Sequence, residues 1–118
     1  MVFVFCGVGL LFVALAVPLL RRRVPPNTWY GLRVGETMAD SEVWYEANQR
    51  SARDFLRLGV GFAVLAVALS FVPWHDDQSY ALVCALVLVV GVLIYTLRAL
   101  KIARDVEAEV RARRARRA

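Results

Sequence analysis

The fold is decided by residues 58–97, whose sequence is LGVGFAVLAVALSFVPWHDDQSYALVCALVLVVGVLIYTL. Two stretches in it, residues 58–74 and 80–97, contain no Lys, Arg, Asp or Glu, and only a short acidic hairpin separates them. A third uncharged stretch, residues 1–20, begins the sequence. A helix needs roughly 17–25 predominantly apolar residues to cross the hydrocarbon core of a bilayer. Because each stretch is long enough, the sequence predicts an all-α membrane protein with three transmembrane helices.

Composition agrees with this interpretation, since 59% of the residues are hydrophobic and the mean hydropathy is +0.53. One alternative is a soluble bundle, but the helices of a small bundle expose a polar face and these stretches have none. A second alternative is a signal peptide at residues 1–20, because Ala14-Leu15-Ala16 has the form of a cleavage site. No basic residue precedes this stretch and three arginines follow it, which favours a retained helix.

The basic residues predict the topology. Seven arginines lie between the first two stretches, eight Lys or Arg follow residue 97, and the hairpin has none. We therefore expect a multi-pass protein of the cell membrane. The positive-inside rule places its N-terminus and hairpin outside the cell and its C-terminus in the cytoplasm. We expect spans at 1–20, 55–74 and 80–98, an external hairpin at 75–79, a cytoplasmic segment at 21–54 and a basic cytoplasmic tail at 99–118.

A basic tail is also found in nucleic-acid-binding proteins. Arginines beside anionic membrane lipids are the simpler explanation of its charge. We therefore expect membrane lipids as partners and no direct contact with nucleic acid.

The cytoplasmic segment is predicted to be extended at Pro25-Pro26 and then helical. Thr37 and Asp40 have the spacing of a capping box, which predicts a helix that begins at Met38 and runs on into the second span. This amphipathic helix places Trp44 and Asn48 on its apolar side, where the Asn48 amide needs a polar partner. Glu46 and Arg50 are spaced as an ion pair on the opposite side. The third span is expected to continue as a helix and to fray near Arg111.

The pattern Asn27-x-x-Tyr30-Gly31-x-Arg33, followed by Thr37 and Trp44-x-x-x-Asn48, resembles the signature of the SdpI family of small bacterial integral membrane proteins, of which this chain looks like the core module. The resemblance implies an interaction protein. The family's named member gives immunity against a secreted toxic peptide, and it signals by holding a transcriptional repressor at the membrane. A toxic peptide or a cytoplasmic repressor is therefore the partner that the resemblance implies. The candidate binding residues are Asn27, Tyr30, Gly31, Arg33, Thr37, Trp44 and Asn48.

We expect five of these side chains to converge and to hold the extended segment on the helix, forming a pocket for a partner or a lipid headgroup: Asn27, Tyr30, Arg33, Trp44 and Asn48. The Arg33 guanidinium has three alternative partners: the Glu36 carboxylate, a lipid phosphate, or backbone carbonyls.

The sequence contains no recognised catalytic or cofactor-binding motif. No nucleotide-binding, CxxC or catalytic-triad pattern occurs, and we expect a protein that is not an enzyme, with no catalytic residue, cofactor or metal. His75-Asp76-Asp77 is interpreted as a solvated hairpin. An ion pathway through a membrane usually contains an acidic side chain, and none of the three apolar stretches has one. A subunit of a small oligomeric transporter or channel is the alternative function.

Two further expectations concern packing. Small residues in the second stretch, among them Gly59 and Ala63, predict that this helix lies centrally and contacts the other two. Cys6 and Cys84 are both expected in the outer half of the membrane. We favour two buried thiols, but the sequence does not decide whether they form a disulfide.

Overall fold

The computed structural model describes residues 1–27 and 30–117, and in this part of the chain four α-helices form. They are α1 (Val2–Leu20), α2 (Gly35–Ala39), α3 (Ser41–Ser70) and α4 (Asp77–Arg117). The molecule measures 64 × 22 × 21 Å, because α4 has 41 residues and a helix rises by about 1.5 Å per residue. Helix α3 lies between α1 and α4 and packs against both. This confirms the predicted central position of the second apolar segment.

Helix α3 begins later than predicted. Asp40 adopts an extended backbone, with φ −150° and ψ 124°, and so separates α2 from α3. Its carboxylate accepts a hydrogen bond from the Glu42 amide at 2.9 Å, which is the role of an N-cap residue. The predicted capping box at Thr37 and the helix start at Met38 are therefore wrong. The predicted continuation is confirmed, because α3 runs unbroken to Ser70.

Helix α4 begins after a non-helical turn at residues 71–76. Asp76 caps the helix, since its Oδ1 accepts a hydrogen bond from the Ser79 amide at 2.7 Å. Hydrogen bonds from the Ser79 hydroxyl and from the Ser79 amide hold the pKa of the Asp76 carboxyl below its usual value. The helix continues to Arg117, so the fraying expected near Arg111 is wrong.

We call residues 1–20, 58–74 and 77–97 the apolar half and residues 21–57 and 98–117 the charged half. In the apolar half, α1 and α3 cross at Gly9 and Gly59. A Cβ atom on either glycine would lie 2.6 Å from the carbonyl oxygen of the other. Backbones that approach this closely need glycine at the crossing point. Cys6 and Cys84 are both free thiols, so the disulfide that the sequence left open does not form.

Exposed apolar side chains are concentrated in the apolar half. Every exposed large hydrophobic residue that the structure describes lies there, except Met38. Within the described residues, two helices are long and apolar enough to cross a membrane, α1 and α4. The uncharged part of α3, residues 58–70, is helical over only about 20 Å, because residues 71–74 of the predicted span are not helical.

The charged half is held by ion pairs between α3 and α4. Arg50 pairs with Glu46 at 2.8 Å, which confirms that predicted pair, and with Glu109 at 2.6 Å. Arg114 pairs with Glu42 at 3.1 Å and also with Asp40. Further pairs join Arg113 to Glu46 and Arg98 to Asp54. Between these pairs lies an apolar core of Val43, Ala47, Val106 and Val110.

Candidate functional site

The candidate site is built on two buried side chains of α3. Trp44 is fully buried, and its indole Nε1 donates a hydrogen bond to the Val24 carbonyl at 2.8 Å. One turn later, Asn48 Oδ1 accepts a hydrogen bond from the Leu32 amide at 2.6 Å. Asn48 Nδ2 donates to the Trp44 carbonyl at 2.9 Å and to the Leu32 carbonyl at 3.4 Å. Val24 and Leu32 belong to the segment between α1 and α2, which we call the extended segment. The bonds fix this segment on α3 and satisfy the buried amide of Asn48.

Gly31 lets the extended segment approach α3. Its φ is +100°, a conformation that costs other L-residues about 1–2 kcal/mol. A Cβ atom here would lie 2.8 Å from Asn48 Oδ1 and 3.2 Å from the Trp44 ring. Both the backbone conformation and the available space therefore require glycine.

Asn27 orders the segment internally, and Tyr30 ties it to α1. Asn27 Nδ2 donates a hydrogen bond to the Pro25 carbonyl at 2.8 Å, and its Oδ1 accepts one from the Tyr30 amide at 2.6 Å. The Tyr30 hydroxyl donates to the Leu15 carbonyl in α1. Partial burial raises the pKa of the Tyr30 phenol above its usual value.

Thr37 completes the network, and it is fully buried. Its Oγ1 accepts a hydrogen bond from the Val34 amide at 3.0 Å and donates to the Leu32 carbonyl at 2.8 Å. The hydroxyl is therefore occupied by the turn that precedes α2. This is the physical reason why Thr37 does not cap α3.

Six candidate residues thus hold the extended segment against α1 and α3, and we call them the motif cluster: Asn27, Tyr30, Gly31, Thr37, Trp44 and Asn48. Arg33 departs from the predicted convergence. Its side chain is exposed, and among the described residues it pairs neither with Glu36 nor with any other group. Its guanidinium lies on the surface of a segment that the motif cluster fixes in place.

The sequence model of the SdpI/YfhL protein family matches residues 23–97. The chain belongs to this family. The match includes the whole motif cluster and all of α3, so the resemblance carried by those residues is confirmed. Membership makes this a membrane protein of the SdpI type. No curated protein and no solved structure matches the chain.

Two features of this SdpI-family site could not be read from the motif. The first is the backbone of Leu32 and Val24, which receives the hydrogen bonds of the motif side chains. The second is a cleft of about 140 Å³ beside α2, which the end of α4 closes. Its charged lining residues are Glu36, Asp40, Glu107, Arg111 and Arg114. Within the described residues, no three His, Cys, Asp or Glu side chains are grouped as metal ligands.

Proposed function

We propose that this SdpI-family protein crosses the membrane three times and acts as an interaction module, with its charged half serving as a rigid docking surface in the cytoplasm. The observation that carries the proposal is the contrast within one segment. Thr37 in this segment, and Trp44 and Asn48 that hold it on α3, are buried and hydrogen-bonded to backbone groups, whereas Arg33 is exposed. A fixed segment that presents an exposed cation is suited to recognition, because the entropy of ordering the segment has already been lost on folding.

Three spans are supported by the exposed side chains of α3. Val60, Val64 and Val67 are 42–63% exposed, and water would oppose such exposure at consecutive turns. Beyond Ser70 the chain stays compact, because Trp74 Nε1 donates a hydrogen bond to the Leu69 carbonyl at 2.7 Å. The short helical part of α3 and this turn together would cross the bilayer.

Cysteine labelling tests the insertion and the orientation. In a Cys6→Ser, Cys84→Ser background, Gln78→Cys and Arg116→Cys would be treated in intact cells with a membrane-impermeant maleimide. We expect labelling at position 78 only, with labelling at position 116 after the cells are opened. Labelling of both positions in intact cells, or the reverse pattern, would contradict three spans with this orientation.

The docking surface is proposed to centre on Arg33 and Met38. Met38 is 45% exposed and is the one large hydrophobic residue outside the apolar half for which the structure describes such exposure. Arginine and methionine are enriched where proteins meet. Both residues belong to the segment that Thr37 and Asn48 fix in place. We propose a cytoplasmic regulatory protein as the partner, which is the signalling role associated with the family.

Photo-cross-linking from Met38 tests this role. A photoreactive amino acid would replace Met38 in living cells, and the same amino acid at exposed Ala108 is the control. We expect a discrete adduct with one cytoplasmic protein from position 38, none from position 108, and loss of the adduct in Arg33→Ala at unchanged protein level. No discrete adduct, or one that persists in Arg33→Ala, would refute the docking surface.

The oligomeric transporter or channel is the less favoured function. An ion path through lipid usually contains a buried acidic side chain, and residues 1–20, 58–74 and 80–97 contain none. We also propose no enzymatic role, because the polar atoms of the motif cluster are engaged with the backbone.

A further inference from the structure

A groove runs between α3 and α4. It consists of two adjoining cavities of about 350 and 240 Å³, which share Arg57, Leu58 and Gly91. The lining is apolar along the apolar half and becomes charged where the two halves of the molecule meet. The further apolar residues along it are Gly61, Phe62, Leu65, Val87 and Ile94.

Glycines give the groove its width. At Gly61 a Cβ atom would meet nothing within 4 Å, so this position opens directly into the groove. At Gly91 a Cβ atom would lie 2.7 Å from Leu58 Cδ1, so a side chain there would displace the Leu58 side chain that lines the groove. Helix α1 lies behind the groove, where Phe5 contacts Phe62, and no described residue of α1 lines either cavity.

Two arginines stand at the charged end of the groove and share one carboxylate. Arg98 Nε lies 2.9 Å and Arg57 Nη1 lies 3.4 Å from oxygens of Asp54. The arginine side chains are 61% and 75% exposed, whereas that of Asp54 is 13% exposed. One carboxylate cannot balance two guanidinium groups, so the end of the groove carries positive charge and unused N–H donors.

Neighbouring residues increase this positive charge. Arg53 lies one turn before Arg57, and Lys101 lies one turn after Arg98. Both are exposed, and the part of the chain that the structure describes offers neither of them an ion pair. A cationic end on an apolar groove is complementary to a molecule with an anionic head and a hydrocarbon tail.

We propose that this groove binds an anionic phospholipid, with its phosphate on Arg57 and Arg98 and one acyl chain lying past Gly61. Guanidinium groups form paired, charge-assisted hydrogen bonds with phosphate oxygens. The proposal rests on membrane insertion, but it is independent of the docking surface at Arg33. Cysteine labelling therefore reports on insertion separately, and loss of the Met38 adduct would leave the lipid site unaffected.

Native mass spectrometry in mild detergent tests the site with two lipids of equal acyl chains, phosphatidylglycerol and phosphatidylcholine. We expect phosphatidylglycerol to bind more tightly. Arg57→Gln and Arg98→Gln should each weaken its binding by about fivefold. Arg57→Lys should weaken it less, because it keeps the charge and loses only the paired donors. Arg104→Gln is the matched control, because Arg104 is exposed on α4 but does not line the groove.

The acyl chain is tested at Gly61. Gly61→Leu should weaken binding of both lipids, and Gly7→Leu is the control, because a Cβ atom on Gly7 also meets nothing within 4 Å. Glycerol phosphate, which has no acyl chain, should not displace the lipid. If the Arg57 and Arg98 variants keep the preference for phosphatidylglycerol, or if Gly61→Leu behaves like Gly7→Leu, the site does not exist. Disulfide-linked dimers of Gly61→Cys in a Cys6→Ser, Cys84→Ser background would also overturn it, because a second copy would then cover the groove.

Discussion

The side-chain amide of Asn48 and the backbone of Leu32 pair in both directions. Asn48 Oδ1 accepts from the Leu32 amide at 2.6 Å, and Asn48 Nδ2 donates to the Leu32 carbonyl at 3.4 Å. A side-chain amide can replace a neighbouring backbone in this way, because it carries the same donor and acceptor. The extended segment therefore obtains from α3 the hydrogen bonds that a strand would obtain from a sheet.

Asn48→Ala tests the strength of this pairing. The Leu32 amide would lose its partner in a partly buried position, while the Leu32 carbonyl would keep its bond from Thr37. Leaving a buried amide unpaired costs about 1–3 kcal/mol. We expect the free energy of unfolding in mild detergent to fall by that amount, and trypsin to cleave faster after Arg33. Gln78→Ala, at an exposed position in the first turn of α4, is the control and should change neither quantity. Equal stability of the two variants would mean that the pairing does not hold the segment.

The sequence placed Asn48 on the apolar side of a helix and so predicted that its amide needs a partner. It did not identify the partner, because backbone atoms have no side-chain signature and the contact joins residues that are far apart in the chain. The same limit explains the error at Thr37. Its spacing to Asp40 fits a capping box, but the Leu32 carbonyl and the Val34 amide occupy the Thr37 hydroxyl. Asp40 then caps α3 by itself.

Gly31→Ala tests the close approach of the segment to α3. The positive φ costs about 1–2 kcal/mol for alanine, and the new methyl group would lie 2.8 Å from Asn48 Oδ1. We expect a loss of at least about 2 kcal/mol in the free energy of unfolding. Gly35→Ala is the matched control, because nothing lies within 4 Å of a Cβ atom there. A loss at position 35 as large as that at position 31 would refute this explanation.

Gly9→Ala tests the crossing of α1 and α3. Its methyl group would lie 2.6 Å from the Gly59 carbonyl oxygen and 2.9 Å from Ala63 Cβ, so the helices would have to separate. Overpacking of this kind costs about 1–3 kcal/mol. We expect a lower melting temperature in detergent, measured by the loss of helical circular dichroism. Gly7→Ala, at an open position on the same helix, should melt as the unmodified protein does. An unchanged melting temperature of Gly9→Ala would mean that the backbones do not touch there.

The apolar segments were easier to recognise from the sequence than the contacts of the charged half. An uncharged stretch can be recognised in the sequence because each of its residues adds to the hydropathy of the same segment. The docking of the α4 end on α3 depends on pairs such as Arg114 with Asp40, which are far apart in the chain. A basic run at the end of a sequence looks like a solvated tail until the acidic residues that face it are known.

These pairs make the charged half sensitive to acid. A hydrogen bond from Arg114 holds the pKa of Asp40 below its ordinary value of 3.8, and one from Arg50 holds the pKa of Glu109 below 4.5. A carboxyl group with a lowered pKa in the folded protein stabilises the fold fully above its ordinary pKa. That stabilisation is lost as the pH falls through the lowered value. The pairs should therefore hold near neutral pH and fail in acid, below about pH 4.

We expect hydrogen exchange in residues 104–117 to show this loss. Exchange, corrected for its intrinsic pH dependence, should be slow at pH 7 and should accelerate below about pH 4, because protonated Asp40 and Glu109 no longer attract the arginines. Arg114→Gln should accelerate exchange already at pH 7 and should return the pKa of Asp40 towards 3.8 in a nuclear magnetic resonance titration. Arg116→Gln is the matched control, since no described residue forms an ion pair with Arg116. If both variants follow the profile of the unmodified protein, the ion pairs do not hold the end of α4 on α3.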